Sequence, residues 1–455
     1  MKPRSTVVVD NGAATIKAGV LGVHTDPRVV TNAIVRSKGD KMTYIGHEFE
    51  KCRDHSSLHY RLPFEKGFLL DWDAEKAVWD GLFSAECLGI NTAESSLLIT
   101  EPYFNLPNIQ NVYDQFVFEE YEFHSYYRCT PASLIPHGDL FAREGYGPPD
   151  CMLLVDSGFS FTHVVPIMNA SILWNAVTRI DVGGKLLTNH LKELASFRQW
   201  NMMDETYIIN DIKETCCYVS SDYKEDLEVC RQNSRSNAIV QEYVLPDFSM
   251  NRIGHVRQPG EALEDTAQVM YMNNERFSVP EILFRPDDIG LEQSGIAPAV
   301  ANSIALLPED LQGMFWAHIG LVGGNTRVPG FRERLLSELR ALAPVDCEVV
   351  IYPSNDPILE TYRSAAAFAQ RPEFLQGCVT REEYLEFGSN ACRRKFRDSK
   401  RADKEATRGR DQAKGRGATR AREDEDESEV ESPPVARKGG RGRGRGRGTM
   451  PRRQV

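Results

Sequence analysis

Two aspartates stand in the same local setting in distant parts of the chain. Asp10 precedes Asn11 and Gly12 in VVVDNGAATIKAGVLG, and Asp156 precedes Ser157 and Gly158 in CMLLVDSGFSFTHVVPIM. Each follows a β-rich run, and a second β-rich run comes after the glycine. The tip between such runs holds a carboxylate and small residues, and its backbone amides can cradle phosphate oxygens. The competing use is local, because Asp often caps its own turn. Two further stretches carry paired glycines: IGLVGGNTRVPGFRERLLSELRAL has Gly323 and Gly324, and IDVGGKLLTNHLKEL has Gly183 and Gly184. Such glycines let backbone approach a ligand closely, and a helix start nearby favours an anion.

These groups need strands and helices to hold them. Asn-Gly between β-prone runs predicts a hairpin with Asp10 near its tip. The second Asp-x-Gly predicts another, and the repeat suggests two related domains whose tips face a shared cleft. Both paired-glycine stretches read as strand, turn and amphipathic helix, with Leu335, Leu336 and Leu339 on one buried face. The pattern is that of a two-lobed α/β nucleotide-binding fold.

At 455 residues, two or more domains are expected. Hydrophobic content of 41% and charge of 26% are ordinary for a globular protein. Without a long apolar run, a membrane span is not expected, and MKPRSTVVVD holds no signal-peptide core. Ten scattered cysteines, the adjacent Cys216 and Cys217 included, form no CxxC pair, so neither a disulfide framework nor a zinc site is indicated. His55 and His59 have ligand-like spacing without a third ligand, which makes them surface histidines.

The net charge of −11 hides a division. From Arg393 onward there are 21 Lys and Arg against 11 Asp and Glu, leaving 33 against 54 before it. Residues 398–455 run from a basic block through EDEDESEVE to GGRGRGRGRG, a composition that cannot bury enough apolar surface to fold. A disordered tail is expected, suited either to DNA or RNA phosphates or to solubility and nuclear import.

Taken together these segments resemble the actin superfamily, from Val7 to about Phe396. DNGAATIKAG is similar to the first phosphate hairpin, DSGFSFT to the second and GGNTRVPG to the adenosine loop. Those three motifs also occur in sugar kinases and heat-shock ATPases; NERFSVPEILFRP and LPFEKGFLLDWDAEKAVWDGLF are more specific to actin. The resemblance implies an actin-like lobe I over 1–150, rejoined by 358–397, and a lobe II over 151–357. It implies a nucleotide set of Asp10, Asn11, Gly12, Lys17, Asp156, Ser157, Gly158, Gly184, Gly323, Gly324 and Asn325. DIKETCCYV adds Lys213 and Glu214 beside the nucleoside, and Asp10 and Asp156 would hold magnesium through water.

Several positions depart from the family. Its first-hairpin hydroxyl and glycine are Ala13 and Ala14, so phosphate binding is weakened but not excluded. Phe159 and Ser160 replace an aspartate and a glycine, Phe159 facing either the γ-phosphate or the core. Thr130, beside Pro131, falls where the family positions its water with glutamine, and a residue too short for that role argues against efficient hydrolysis. A Gly-Gly beside the adenine falls on Ser364 and Ala365. ATP with magnesium as a structural ligand and an empty cleft both stay open.

Longer strings, TEPYFNLPNIQNVYDQFVFEEYEF and EYVLPDFS among them, resemble a nuclear branch of actin-related proteins. That branch implies a non-catalytic scaffold in an SWR/SRCAP-type remodeller exchanging ordinary histone dimers for Z-variant dimers. Its expected partners are the motor subunit and a zinc-finger subunit, with histones or nucleosome reached indirectly; its location is the nucleus, with the cytoplasm second. SKGDKMT is too short for actin's filament loop, so no filament is expected. The stretch 220–275 has loop character and is a candidate docking surface, and 378–396 reads as one closing helix. An active actin-fold ATPase or kinase and a cytoskeletal protein are the competing classes.

Overall fold

The computed structural model describes residues 5–24, 26–143, 147–232, 237–248 and 253–396. The expectation for the tail, 398–455, lies outside them.

The first hairpin forms from Ser5–Asn11 and Thr15–Val20, with Asp10 opposite Lys17. Ser5–Asn11 also pairs in parallel with Ser95–Thr100, which pairs in parallel with Ser125–Cys129. Arg28–Thr31 and Val379–Thr380 complete a six-stranded sheet at its two edges. Val7 and Val9 join an apolar cluster on one face of this sheet, while Val8 joins another on the opposite face. That alternation explains the unbroken valine run, since a strand covered on both sides has no solvent face to keep polar.

The second sheet repeats the plan. Cys151–Ser157 and Thr162–Met168 form a hairpin, with Ile319–Val322 and Ile351–Pro353 added in parallel beside the first strand. Ser171–Ile172 and Thr178–Ile180 both pair with Thr162–Met168. Leu153 and Val155 pack into one cluster and Met152 and Leu154 into another, as the valines do. The repeated Asp-x-Gly pattern therefore marks equivalent strands of two similarly ordered sheets.

Helices cover the faces. Trp72–Phe83 is capped by Asp71, which accepts from the Ala74 N–H, and buries Val78, Trp79 and Leu82. Burying side chains of this size contributes about 2–3 kcal/mol each. Glu360–Ala369 sets Tyr362, Ala365 and Phe368 with Val8 and Leu98 behind the first sheet. Gly184–Arg198 and Thr206–Cys216 pack on the second sheet.

Three sequence expectations are corrected. The helix after Gly323 and Gly324 begins only at Phe331; Gly324–Arg327 is a single 3-10 turn, so no α-helix N-terminus adjoins the paired glycines. Residues 378–396 form a short strand and two helices, Arg381–Phe387 and Ser389–Lys395, split at Gly388, whose φ is 59°. Within 220–275 lie the helix Tyr223–Gln232 and a sheet of Gln241–Val244, His255–Val256 and Val269–Met272, so much of that stretch is regular structure. Every cysteine is free, and among the described residues no helix is long and apolar enough to cross a membrane.

Candidate nucleotide cleft

The first hairpin presents Asp10 and Lys17 together, with Lys17 Nζ 3.4 Å from Asp10 Oδ2. Strand alternation places Asp10 and Asn11 on opposite faces. Asp10 Oδ1 accepts from the Thr100 hydroxyl at 2.9 Å, and that hydroxyl oxygen also accepts the Asn11 N–H at 2.9 Å. The Asn11 side chain instead enters the core and donates to Glu75 and Tyr113. Its backbone N–H and its side-chain nitrogen are thus both engaged within the protein. Ala13 is half-buried against the core of the first sheet.

The second hairpin brings Asp156 to the same region. Tyr103 donates to Asp156 Oδ2 at 2.9 Å. Desolvation pushes the Asp156 carboxyl up to about 6; the Tyr103 hydrogen bond lowers it, the Asp10 charge raises it and Lys17 opposes. Asp10, Lys17 and Asp156 therefore share one electrostatic neighbourhood, as the repeat implied. Phe159 and Ser160 form the bend at the hairpin tip, and the half-buried Phe159 belongs to neither sheet's apolar cluster. Phe161 lies so close to Gly67 that a Cβ there would meet its ring at 2.4 Å, and Arg179 sits over the ring at 4.5 Å.

Asn325 fixes the base of this hairpin, donating to Ser157 Oγ at 3.1 Å and to the Gly158 carbonyl at 2.8 Å. Gly323 has φ of 91°, and a Cβ there would stand 2.2 Å from the Ser157 carbonyl. Only glycine permits that approach. Gly324 is exposed and open, a Cβ meeting nothing nearer than Ile358 at 3.9 Å. Gly158 is likewise open. A Cβ on Gly184 would touch Asn325, Phe159 and Lys213, which places these four residues around one point.

Lys213 is buried and donates to Thr188 Oγ1 at 2.9 Å and Asn210 Oδ1 at 2.8 Å. Desolvation lowers its pKa. Glu214 is exposed and accepts from Asn210, so Asn210 links the pair. Ser364 and Ala365 are corrected: both lie within Glu360–Ala369, Ser364 against Gly138 and Ala365 in the core, so neither is a cleft-mouth substitute for adenine-side glycines. Thr130 is buried at the start of the helix Pro131–Leu134.

Sequence reasoning missed Thr100, Tyr103, Asn32 and Glu75. Asn32 donates to the Gly12 carbonyl at 3.0 Å. Glu75 left a readable signal, an acid in line with Val78, Trp79 and Leu82 on the apolar stripe of a helix. Thr100 and Tyr103 left none, because one meets the first hairpin from the neighbouring strand and the other meets the second from the turn after that strand. His55, expected on the surface, is half-buried and stacks on Tyr207 with ring centroids 4.3 Å apart. Among the described residues no group of His, Cys, Asp and Glu forms a metal cluster.

The actin family profile matches residues 1–397. The chain belongs to the actin family. An actin-like protein ARP6 of Cryptococcus neoformans is 51% identical over 411 residues, covering 86% of this chain and 84% of the relative. Actin-related protein 6 of Drosophila melanogaster is 39% identical over 390 residues, covering 84% and 98%. The Arabidopsis thaliana protein of that name is 37% identical over 427 residues, covering 86% and 99%. The actin fold generally holds a nucleotide with magnesium, and Asp10, Lys17, Asp156 and the open Gly158 and Gly324 fit such a group in charge and space.

Proposed function

We propose that this chain is a non-catalytic actin-related scaffold in a nuclear remodeller of the SWR/SRCAP type, exchanging ordinary histone dimers for Z-variant dimers. Its role is to present a rigid actin fold to the motor subunit and a zinc-finger subunit; histones and nucleosome are reached through them, and the motor hydrolyses ATP. The observation that carries this reading is the likeness, over 84–86% of the chain, to proteins named actin-related protein 6. Ala13, Ala14, Phe159 and Thr130, where catalytic members differ, support a cleft that does not turn over.

In this reading the cleft holds ATP as a structural ligand. Asp10 and Asp156 would hold magnesium through water, Lys17 and the hairpin amides the phosphates, and Gly184, Lys213, Glu214, Gly323, Gly324 and Asn325 the nucleoside end. The bound group would supply a charge-neutralised link between the lobes. The Arg-Gly tail adds salt-sensitive contact with DNA.

Tagged full-length chain, purified from its own nuclei, tests the proposal. The expected result is stoichiometric recovery of a motor ATPase and a zinc-finger protein, histone exchange by that complex, and loss of exchange without this chain. Steady phosphate release by the isolated chain would put the ATPase reading first. Recovery in filaments would favour a cytoskeletal one.

A further inference from the structure

Beneath the first hairpin, Trp72–Phe83 turns an acid toward the sheet. Glu75, Asn32, Trp79 and Tyr113 have no exposed surface, and Asn11 is 5% exposed. Asn11 Nδ2 donates to Glu75 Oε1 at 2.7 Å and to the Tyr113 hydroxyl at 3.0 Å. Asn32 holds the far side of the turn, its side chain donating to the Gly12 carbonyl at 3.0 Å and its N–H to the Ala14 carbonyl at 2.9 Å. Residues on both sides of the turn thus converge on one sealed polar group.

The donors and acceptors there do not balance if Glu75 is ionised. Among the described residues, Asn11 Oδ1, Asn32 Oδ1, Glu75 Oε2 and Trp79 Nε1 are buried without partners. Three of these are acceptors when Glu75 is ionised and one is a donor; the Tyr113 hydroxyl, which accepts from Asn11, has a proton to give as well, which still leaves one acceptor over. A proton on Oε2 turns one surplus acceptor into a donor for a neighbouring amide oxygen. Desolvation pushes the carboxyl up to about 7, held back by the polar groups of Asn11, Asn32 and Trp79, none of them charged. The Tyr113 hydroxyl meets Glu75 through Asn11, the Tyr121 hydroxyl is taken by Asp80 and the Lys76 carbonyl, and Arg128 with Glu101 and Asp114 lies beyond Tyr113. On the other face of the strand, Asp10 is paired with Lys17.

We propose that Glu75 is held as the neutral acid and braces the first hairpin, linking the Gly12–Ala14 turn to a proton. Glu75 is a positioning residue, acting through Asn11. Its consequence for ATP rests on the reading of this hairpin as a phosphate cradle; the brace does not.

Amide hydrogen exchange over residues 8–18 of the full chain, corrected for intrinsic rate, tests the brace at pH 6 and pH 8.5. The wild type is expected to lose about tenfold or more in protection at the higher pH, as the acid ionises. Glu75→Gln, neutral at both, keeps its protection at both. Unchanged wild-type protection, or a Glu75→Gln variant unprotected at pH 6, overturns the proposal. ATP binding measured alongside separates the two readings: exchange behaving as expected, with ATP bound at neither pH, removes the cradle and leaves the brace standing.

Discussion

The Tyr103 hydroxyl donates to Asp156 Oδ2 at 2.9 Å, joining the segment after strand Ser95–Thr100 to the second hairpin. The same phenol ring packs 4.4 Å from the ring of His163, whose pKa burial lowers to about 3. A neutral aromatic contact and a hydrogen bond to an acid thus tie the two sheets together at the base of the cleft.

Asp156 should make stability depend on pH. Its native pKa of about 6 lies above the ordinary 3.8, so the native state binds the proton more tightly than the unfolded chain. Stability then falls as pH rises from about 4 to about 6 and levels off above. Asp156→Asn removes that dependence and is expected to stabilise the protein at pH 8 by up to about 3 kcal/mol, with almost no gain at pH 3.5. Thermal unfolding of both proteins at the two pH values measures this, and an equal difference at both would refute it.

Ser57 and Glu205 form a second bridge, between segments 148 residues apart. The Ser57 N–H and hydroxyl each donate to the Glu205 carboxylate at 3.0 Å, and Ser57 adopts φ of 46° to aim both. Glu205→Ala should cost about 1–2 kcal/mol and speed proteolysis within residues 38–57. Ser57→Gly relieves the left-handed backbone while losing one bond and should be milder than Ser57→Ala. A reversed order of the two Ser57 variants in chemical denaturation would contradict this account.

Gly323 and Gly324 are adjacent but answer to different constraints. Gly323→Ala forces a Cβ against the Ser157 carbonyl at positive φ and should cost about 3 kcal/mol or more. Gly324→Ala meets open space and should stay within about 0.5 kcal/mol of wild type in stability. If the cleft holds nucleotide, the second substitution lowers ATP affinity at unchanged melting temperature. Equilibrium unfolding and nucleotide titration read the two effects separately.

Arg128 is buried between Glu101, at 3.3 Å, and Asp114, at 2.6 Å. Desolvation raises the Asp114 carboxyl to about 6, and Arg128 holds it down. Arg128→Met strands both acids and should cost about 3–5 kcal/mol near neutral pH. The loss should shrink toward pH 5, where protons can replace the lost cation. Urea denaturation across that range provides the measurement.

The hairpins, both Asp-x-Gly turns and the family were legible because their signals are local. Val7, Val8 and Val9 declare a strand covered on both faces wherever its neighbours come from. The break at Gly388 and the sheet within 220–275 were less legible, since short elements stabilised by distant packing carry little periodicity of their own. Side-chain partnerships lay further still from view. Asn11 looked like a ligand beside Asp10, yet it bonds Glu75, 64 residues away, and Tyr113, 102 away. Ser364 and Ala365 stand where the family has glycines beside the adenine, yet both are buried with their helix. Sequence alone settled the two hairpins with their Asp-x-Gly turns and the family they build. Tertiary structure decided which face of each strand reaches the cleft, because that depends on register between segments far apart in the chain.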